Sequence, residues 1–255
     1  MTRVIKVGGR PQSDPALIAA LASAHRATPA SLVVVHGGGD EVSSLQRLYG
    51  AVSEFKGGRR VTSVLDIEII RMALSGSANK RLVSALVAAG VRAVGLSGED
   101  AALLSATPLD LEQFGFVGVP AQVDTGLLLH LLAGEYLPVL SPVSGCMDPS
   151  AGLTLNVNGD DAAAAIAVAL NADELLLVSD VAGVLKDGAP VSMLAPDDAQ
   201  RLIDDGTAQG GMAAKLQAAL AALDGGVERV RISDIAAIEQ LDRGTVLTRV
   251  GSAIA

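Results

Sequence analysis

Six short apolar runs constrain the fold of this chain more than any other feature. They recur between segments rich in Ala, Leu and Glu, at residues 4–7, 32–36, 93–96, 137–140, 175–178 and 230–232. Continuous apolar runs are typical of strands that are buried on both faces, as in a parallel sheet covered by helices. The sequence therefore predicts an α/β fold, in which ligands bind near the carboxyl ends of the strands.

The segments between the runs predict helices. Asp14 is a suitable N-cap and Pro15 a suitable first residue for a helix that extends to His25. Further helices are predicted at 66–89, with an interruption near Gly76, and at 160–170 and 211–224. Residues 107–126 predict a hairpin or irregular excursion. Residues 142–152 predict a loop between an N-terminal lobe, 1–150, and a C-terminal lobe, 151–255.

Composition excludes several classes of function. The 255 residues carry a net charge of -9, which repels nucleic acids and anionic membranes, so neither is an expected partner. Cys146 is the only cysteine, which excludes an intrachain disulfide and a cysteine metal site. The longest apolar runs are too short to span a bilayer, and no targeting segment is visible. We expect a soluble, cytoplasmic protein.

Two glycine-rich turns follow predicted strands, at Lys6-Val7-Gly8-Gly9 and His36-Gly37-Gly38-Gly39. Glycine lacks a Cβ, so its backbone N–H groups approach an oxyanion closely. Plain turns account for both segments as well, and His36 is more readily explained as structural. His25 and His130 are isolated, so no histidine metal site is predicted.

Four other segments carry polar groups suited to an anionic ligand. Arg59 and Arg60 are able to clamp a carboxylate, although such a pair is more often solvated. Asp160 ends the segment 156–160, where an N-cap role explains it equally well. A nucleotide-contact turn and a plain turn both fit 179–184. The glycines at 210–211 begin a helix that carries Lys215, and the N-terminus of a helix attracts anions.

Some motifs are absent from the sequence. It contains no GxxxxGK[ST] loop, no third glycine of a dinucleotide fingerprint and no protein-kinase signature set. It also contains no serine-centred nucleophile elbow. These absences exclude the corresponding nucleotide-binding and hydrolytic classes.

In their order along the chain, the motifs resemble the amino acid kinase family, most closely its branch that phosphorylates acetylglutamate. The resemblance covers essentially the whole chain and is carried by KVGG at 6–9, HGGG at 36–39, RVT at 60–62, SGSANK at 75–80, GLSGED at 95–100, NVNGD at 156–160, SDVAGVL at 179–185 and GGMAAK at 210–215. It implies an open, mainly parallel sheet of eight strands between helices. It also implies acyl-amino-acid binding in the N-terminal lobe and nucleotide binding in the C-terminal lobe.

The resemblance implies transfer of the ATP γ-phosphoryl to the side-chain carboxylate of N-acetyl-L-glutamate, in arginine biosynthesis. Mg²⁺ would be held by the nucleotide phosphates and water, without a metal site on the protein. The implied catalytic residues are Lys6, Lys215 and Asp160, with Asp160 orienting the lysines. The implied substrate-binding residues are Gly37, Gly38, Gly39, Arg60 and Asn156. The implied nucleotide-binding residues are Gly8, Gly9, Asp180, Val181, Ala182, Gly183, Val184, Leu185, Gly210, Gly211 and Met212.

Three residues depart from the family pattern: Arg10, Ser63 and Asp161. Arg10 and Asp161 leave the preferred acyl group open. The extra N-terminal helix of arginine-inhibited hexameric relatives is absent, so we expect a homodimer insensitive to arginine. Three alternatives remain: an N-succinylglutamate kinase, a kinase of carrier-protein-linked aminoadipate or glutamate in lysine biosynthesis, and a non-catalytic regulatory module that binds amino acids. The acidic net charge argues against an acidic carrier protein.

Overall fold

A computed structural model describes residues 1–8, 12, 14–186 and 189–248, with Lys186 described by its backbone only. Its strands are β1 Arg3–Val7, β2 Leu32–His36, β3 Phe55–Lys56, β4 Arg59–Arg60, β5 Ala93–Ser97, β6 Leu104–Pro108, β7 Val117–Val123, β8 Leu137–Ser141, β9 Val143–Cys146, β10 Thr154–Val157, β11 Glu174–Val178, β12 Leu185–Lys186, β13 Ala189–Pro190, β14 Arg229–Ser233 and β15 Thr245–Thr248. Its helices are α1 Pro15–Ala27, α2 Gly39–Leu48, α3 Val64–Ile70, α4 Asn79–Ala88, α5 Leu111–Phe114, α6 Gly126–Ala133, α7 Gly159–Ala169, α8 Pro196–Asp204 and α9 Gly210–Asp224.

The main sheet contains all six apolar runs, in the order β15-β14-β11-β1-β2-β8-β5. Neighbouring strands are parallel except at the β14–β15 edge. Hydrophobic clusters cover both faces, one including α7 and α9 and the other including α1 and α4. The predicted three-layer α/β fold is confirmed. Within the described residues the sheet has seven strands rather than the eight expected, and four further strands form a separate sheet.

The separate sheet is small and closed, and it contains β6, β7, β9 and β10. Strands β6 and β7 pair antiparallel with α5 inserted at the tip, so a hairpin is present as predicted, but it spans 104–123 rather than 107–126. The loop predicted at 142–152 is wrong in part, because β9 lies within it and pairs with both β6 and β10. The turn signals of Gly145 and Pro149 obscured this strand in the sequence.

Helix starts follow local chemistry closely. The Asp14 side chain accepts a hydrogen bond from the Ala16 N–H, with Pro15 at the first helical position, as predicted. The helix predicted at 66–89 is interrupted by a π-helical stretch, Arg71–Ala78, which includes Gly76. Ser63 caps α3 in a reciprocal capping box with Asp66, which explains serine at this position.

Buried charge lies at the amino ends of three neighbouring strands. The Glu174 carboxylate is fully buried and pairs with Arg3 at 2.8 Å and with Arg229 at 3.1 Å. Arg231, also fully buried, pairs with the same carboxylate and donates to the Ala237 carbonyl at 2.9 Å. The cluster therefore joins β1, β11 and β14 to the C-terminal segment. Within the described residues, no helix is both long and apolar enough to cross a membrane.

Candidate active site

Two lysines that are distant in the sequence meet at one aspartate. Lys6 extends from β1, Asp160 lies in the first turn of α7, and Lys215 extends from α9. The Lys6 Nζ lies 2.9 Å from Asp160 Oδ1, and the Lys215 Nζ lies 3.3 Å from Oδ2 and 3.4 Å from Oδ1. The side chains are 9%, 6% and 12% exposed for Lys6, Asp160 and Lys215. The structure therefore brings the three predicted catalytic residues together.

Burial and mutual charge set the ionisation of this group. Burial acts to raise the pKa of Asp160, but the charges and hydrogen bonds of Lys6 and Lys215 outweigh it, and the pKa is lowered. The pKa of Lys215 is lowered, first by burial and then by the nearby charge of Lys6. Asp160 therefore stays ionised at neutral pH, and Lys215 loses its proton at a lower pH than an ordinary lysine.

A cavity of about 250 Å³ lies beside the lysine–aspartate group. Its lining includes the predicted substrate residues Gly37, Gly38, Gly39, Arg60 and Asn156, together with Lys6 and Asp160. The side chains of Val42, Ile70 and Leu74 supply an apolar wall. The arrangement offers cations and backbone groups at one end and an apolar surface for a small acyl or alkyl group.

The glycines at 37–39 are fitted closely into this wall. A Cβ on Gly38 would lie 2.7 Å from Leu74 Cδ2, and Gly38 has φ +157°, so only glycine fits. The Gly37 N–H donates to the Val7 carbonyl at 2.9 Å. That N–H is therefore already used within the fold, contrary to the expectation that it faces a ligand.

His36 is a structural residue, as expected. It is fully buried, and burial lowers its pKa to about 4. Its Nδ1 donates to the Gly37 carbonyl at 2.9 Å and its Nε2 accepts from Asn79 Nδ2 at 3.0 Å. A neutral imidazole with its proton on Nδ1 satisfies both bonds, which fixes the start of the glycine turn.

Arg60 is held at the mouth of the cavity by several acceptors. Its Nη1 donates to Ser53 Oγ at 2.6 Å, and its Nη2 donates to Ser43 Oγ at 3.0 Å and to the Gly39 carbonyl at 3.1 Å. Its guanidinium also lies 4.7 Å from the centre of the Phe55 ring. These contacts preposition one guanidinium against the glycine turn.

Asn158, rather than Asp160, is the N-cap of α7. The Asn158 Oδ1 accepts from the Asp160 N–H at 2.8 Å, so the interpretation of Asp160 as the cap is wrong. The Asp160 carboxylate is therefore available to the two lysines. Asn156 lines the cavity, and its Nδ2 donates to Thr62 Oγ1 at 3.0 Å.

The predicted nucleotide residues do not line this cavity in the part of the chain that the structure describes. In the turn at 180–185, the Val184 N–H donates to Thr245 Oγ1 at 2.7 Å, and the Val184 side chain is buried in the core. A Cβ on Gly183 would lie 2.6 Å from the same Oγ1, so glycine permits this close approach. Met212 packs against the same hydrophobic cluster. Gly9 lies outside the described residues, and so does Arg10, which departs from the family pattern.

The model of the amino acid kinase family matches residues 1–234. The chain belongs to this family. Acetylglutamate kinase from Chloroflexus aurantiacus is 45% identical over 248 residues, 96% of each chain. Acetylglutamate kinase from Geobacillus stearothermophilus is 42% identical over 233 residues, 91% of this chain and 89% of that relative.

Two solved structures share the fold of this chain. A protein from Streptococcus mutans superposes with a TM-score of 0.86 at 29% identity, over 97% of this chain and 98% of that one. Carbamate kinase from Giardia lamblia, bound to AMP-PNP, superposes with a TM-score of 0.72 at 16% identity, over 97% of this chain and 98% of that one. The second likeness concerns the fold alone.

Gly159 is a residue of this amino acid kinase that sequence reasoning did not single out. A Cβ at this position would lie 3.3 Å from Lys6 Cε and 3.9 Å from the His36 carbonyl. Its place directly before Asp160 is a signal that was visible in the sequence. Glycine here leaves room for the Lys6 side chain to reach Asp160.

Replacing Gly159 with alanine is therefore expected to displace Lys6 while leaving the fold intact. The added Cβ displaces Lys6 by a few tenths of an ångström, and misplacement of a reacting group by about 1 Å costs up to roughly 10²-fold, so we expect kcat to fall by about threefold. Steady-state kinetics and thermal unfolding check this. Gly145→Ala is the matched control, since a Cβ there meets no atom of the described residues within 4 Å. Equal kcat in both variants would show that Gly159 does not shape the position of Lys6.

Proposed function

We propose that this protein transfers the γ-phosphoryl group of ATP to the side-chain carboxylate of N-acetyl-L-glutamate, in arginine biosynthesis. The meeting of Lys6 and Lys215 at Asp160, beside a small cavity that Arg60 and three glycines line, is the observation that carries the proposal. The names of relatives that are 39–45% identical over most of the chain support it.

In the proposed reaction, a carboxylate oxygen of the substrate forms a bond to the γ-phosphorus of ATP. The bond from that phosphorus to the β,γ-bridging oxygen breaks, and ADP leaves with the electron pair. The products are ADP and an acyl phosphate. The acceptor is a carboxylic acid that is already ionised at neutral pH, so the reaction needs no general base.

Charge neutralisation is what this reaction requires from the protein, because both reactants are anionic. Lys6 and Lys215 supply two cations where charge spreads over the transferred phosphoryl oxygens. Asp160 contacts both ammonium groups, so its role is to fix their positions before substrates bind. This role fits an aspartate whose lowered pKa keeps it charged.

The remaining predicted residues bind substrates in this proposal. Arg60 holds the α-carboxylate of the acyl amino acid, and Asn156 donates a hydrogen bond to it. The turn at 180–185 and the start of α9 contact the nucleotide, and Gly8 and Gly9 contact its phosphates.

The N-terminal lobe, 1–150, binds the acyl amino acid, and the C-terminal lobe, 151–255, binds ATP. Mg²⁺ enters bound to the ATP phosphates and water. The enzyme acts as a homodimer in the cytoplasm.

The test is a hydroxamate assay, in which hydroxylamine traps the acyl phosphate that forms from ATP and a carboxylic acid. N-acetylglutamate, N-succinylglutamate, glutamate and carrier-linked aminoadipate are compared at equal concentration. We expect the highest kcat/KM with N-acetylglutamate. Controls without ATP and with Lys215→Ala protein establish that the trapped product comes from this active site.

Each other result of this assay identifies a different function. Preference for N-succinylglutamate or for the carrier-linked substrate contradicts the proposed acceptor and supports the corresponding alternative. Absence of hydroxamate with all four acceptors, while N-acetylglutamate still binds by calorimetry, supports a non-catalytic module that binds amino acids.

A further inference from the structure

An ion pair joins the β3–β4 hairpin to the first turn of α7. The Arg59 Nη1 lies 2.9 Å from Asp161 Oδ2, and the side chains are 26% and 19% exposed. Each partner is the sequence neighbour of a site residue, since Arg59 precedes Arg60 and Asp161 follows Asp160. The pair therefore connects the element that carries the proposed carboxylate ligand to the element that holds the two lysines.

Arg59 also lines two cavities. It lines the 250 Å³ cavity beside Lys6, and it lines a neighbouring 550 Å³ groove between β7, α7 and α9. The Arg59 Nη1 has no aligned hydrogen-bond acceptor among the described residues, so its contact with Asp161 is mainly one of charge. Because the pair is largely shielded from water, loss of either partner leaves a poorly solvated charge.

The chain is anchored just after the hairpin, where the Thr62 N–H donates to the Phe114 carbonyl at 2.9 Å and the Phe116 N–H donates to the Thr62 carbonyl at 2.8 Å. The turn end of the hairpin has fewer described contacts. Its strands are two residues long, and among the described strands they pair only with each other. Phe55 and Lys56 are exposed, and the turn glycines, Gly57 and Gly58, have positive φ with open space around them. Apart from the hydrogen bonds of Arg60, a described side-chain contact of the hairpin with the rest of the fold is the 3.3 Å hydrogen bond from Lys56 Nζ to the Gln113 carbonyl in α5. A short exposed hairpin of this kind opens locally at low cost unless a further contact restrains it.

We propose that the Arg59–Asp161 ion pair is a positioning pair that pins the hairpin to α7 and thereby keeps Arg60 at the mouth of the substrate cavity. Arg59 acts through Arg60 and does not itself contact the substrate. The inference rests on the proposed function for the identity of the substrate, but not for the position of the hairpin.

The competing role for Arg59 is direct contact with a second carboxylate on the acyl group, as in N-succinylglutamate. The two roles differ in what they require of Asp161. If the pair positions the hairpin, neutralising either partner has the same effect. If Arg59 binds an acyl carboxylate, neutralising Asp161 frees the guanidinium and improves binding of the dicarboxylic acyl substrate.

The experiment is a double-mutant cycle with Arg59→Met, Asp161→Asn and the combined variant, together with Arg201→Met as control. Arg201 pairs with Asp198 on the exposed surface of α8, far less shielded than Arg59. Hydrogen exchange of the amides at 55–60 is measured without ligand. Kinetics are measured with N-acetylglutamate, N-succinylglutamate and ATP, and thermal unfolding verifies the fold.

We expect both single variants to exchange the hairpin amides roughly tenfold faster and to raise KM for N-acetylglutamate by a similar factor, with the combined variant no worse than either. KM for ATP and kcat stay within about twofold, and Arg201→Met matches the wild type. The exchange measurement needs no turnover, so it tests whether the ion pair positions the hairpin even if N-acetylglutamate is not the substrate.

Two results would overturn the proposal. The first is hairpin exchange that is unchanged in both single variants. The second is a set of KM effects that multiply in the combined variant, or that appear for Arg59→Met alone, because Arg59 then acts independently of Asp161. An Asp161→Asn variant with improved kcat/KM for N-succinylglutamate would assign Arg59 to the acyl carboxylate instead.

Discussion

Replacing either Lys6 or Lys215 with alanine is expected to lower kcat by roughly 10²-fold or more, the scale observed when one prepositioned donor is lost from an active site. Each variant removes one of two cations that meet at Asp160. The remaining lysine still pairs with the aspartate, so the buried carboxylate keeps a partner and the fold persists. Steady-state kinetics with the hydroxamate readout measure the effect.

Lys80→Ala is the matched control for both variants. Lys80 is an exposed lysine of α4 whose Nζ donates to the Gly95 carbonyl at 3.1 Å, outside the lysine–aspartate group. We expect its kcat to stay within about twofold of the wild type. Circular dichroism establishes that all three variants are folded. Unchanged turnover in both Lys6→Ala and Lys215→Ala would refute the roles assigned to these lysines.

Replacing Glu174 with alanine is expected to lower the free energy of unfolding by about 3–5 kcal/mol, the cost of removing one partner from a buried ion pair. The variant leaves the guanidinium of Arg231 fully buried without its carboxylate. Arg3, itself almost fully buried, loses the same partner. Because β1, β11 and β14 meet at this carboxylate, the loss of stability affects strands at the centre of the main sheet.

Urea denaturation of Glu174→Ala beside Glu239→Ala measures this effect. Glu239 is exposed, so its removal is expected to change the free energy of unfolding by no more than about 0.5 kcal/mol. A shift for Glu174→Ala that is as small as the control would contradict the account of the buried charge cluster. It would mean that water or rearranged carbonyl groups satisfy the three arginines without the carboxylate.

The sequence predicted the framework of the main sheet because the signals there are local. All six continuous apolar runs are strands of that sheet, and the start of α1 follows from Asp14 and Pro15. The edge strand β15 was missed because it is short and threonine-rich and lies antiparallel to β14 at the edge. The closed sheet was only partly predicted, since its pairings join strands distant along the chain.

The candidate site shows the same division between local and distant signals. Motif order placed Lys6, Asp160 and Lys215 in one group, and the structure brings them into contact. The cap of α7 at Asn158 was not predicted, because Asn and Asp are similar caps and only the fold shows which side chain turns back. The Arg59–Asp161 pair was not predicted either, because it joins residues about a hundred positions apart.

The most direct test of the central claim is a crystal structure of the wild-type protein with AMP-PNP, Mg²⁺ and N-acetylglutamate bound. We predict that the Nζ atoms of Lys6 and Lys215 both lie within hydrogen-bond distance, about 3.2 Å, of oxygens on the γ-phosphoryl group or the acceptor carboxylate, with Asp160 contacting both lysines. A ternary complex in which either Nζ faces solvent, or in which the γ-phosphorus lies against other side chains, would contradict the claim.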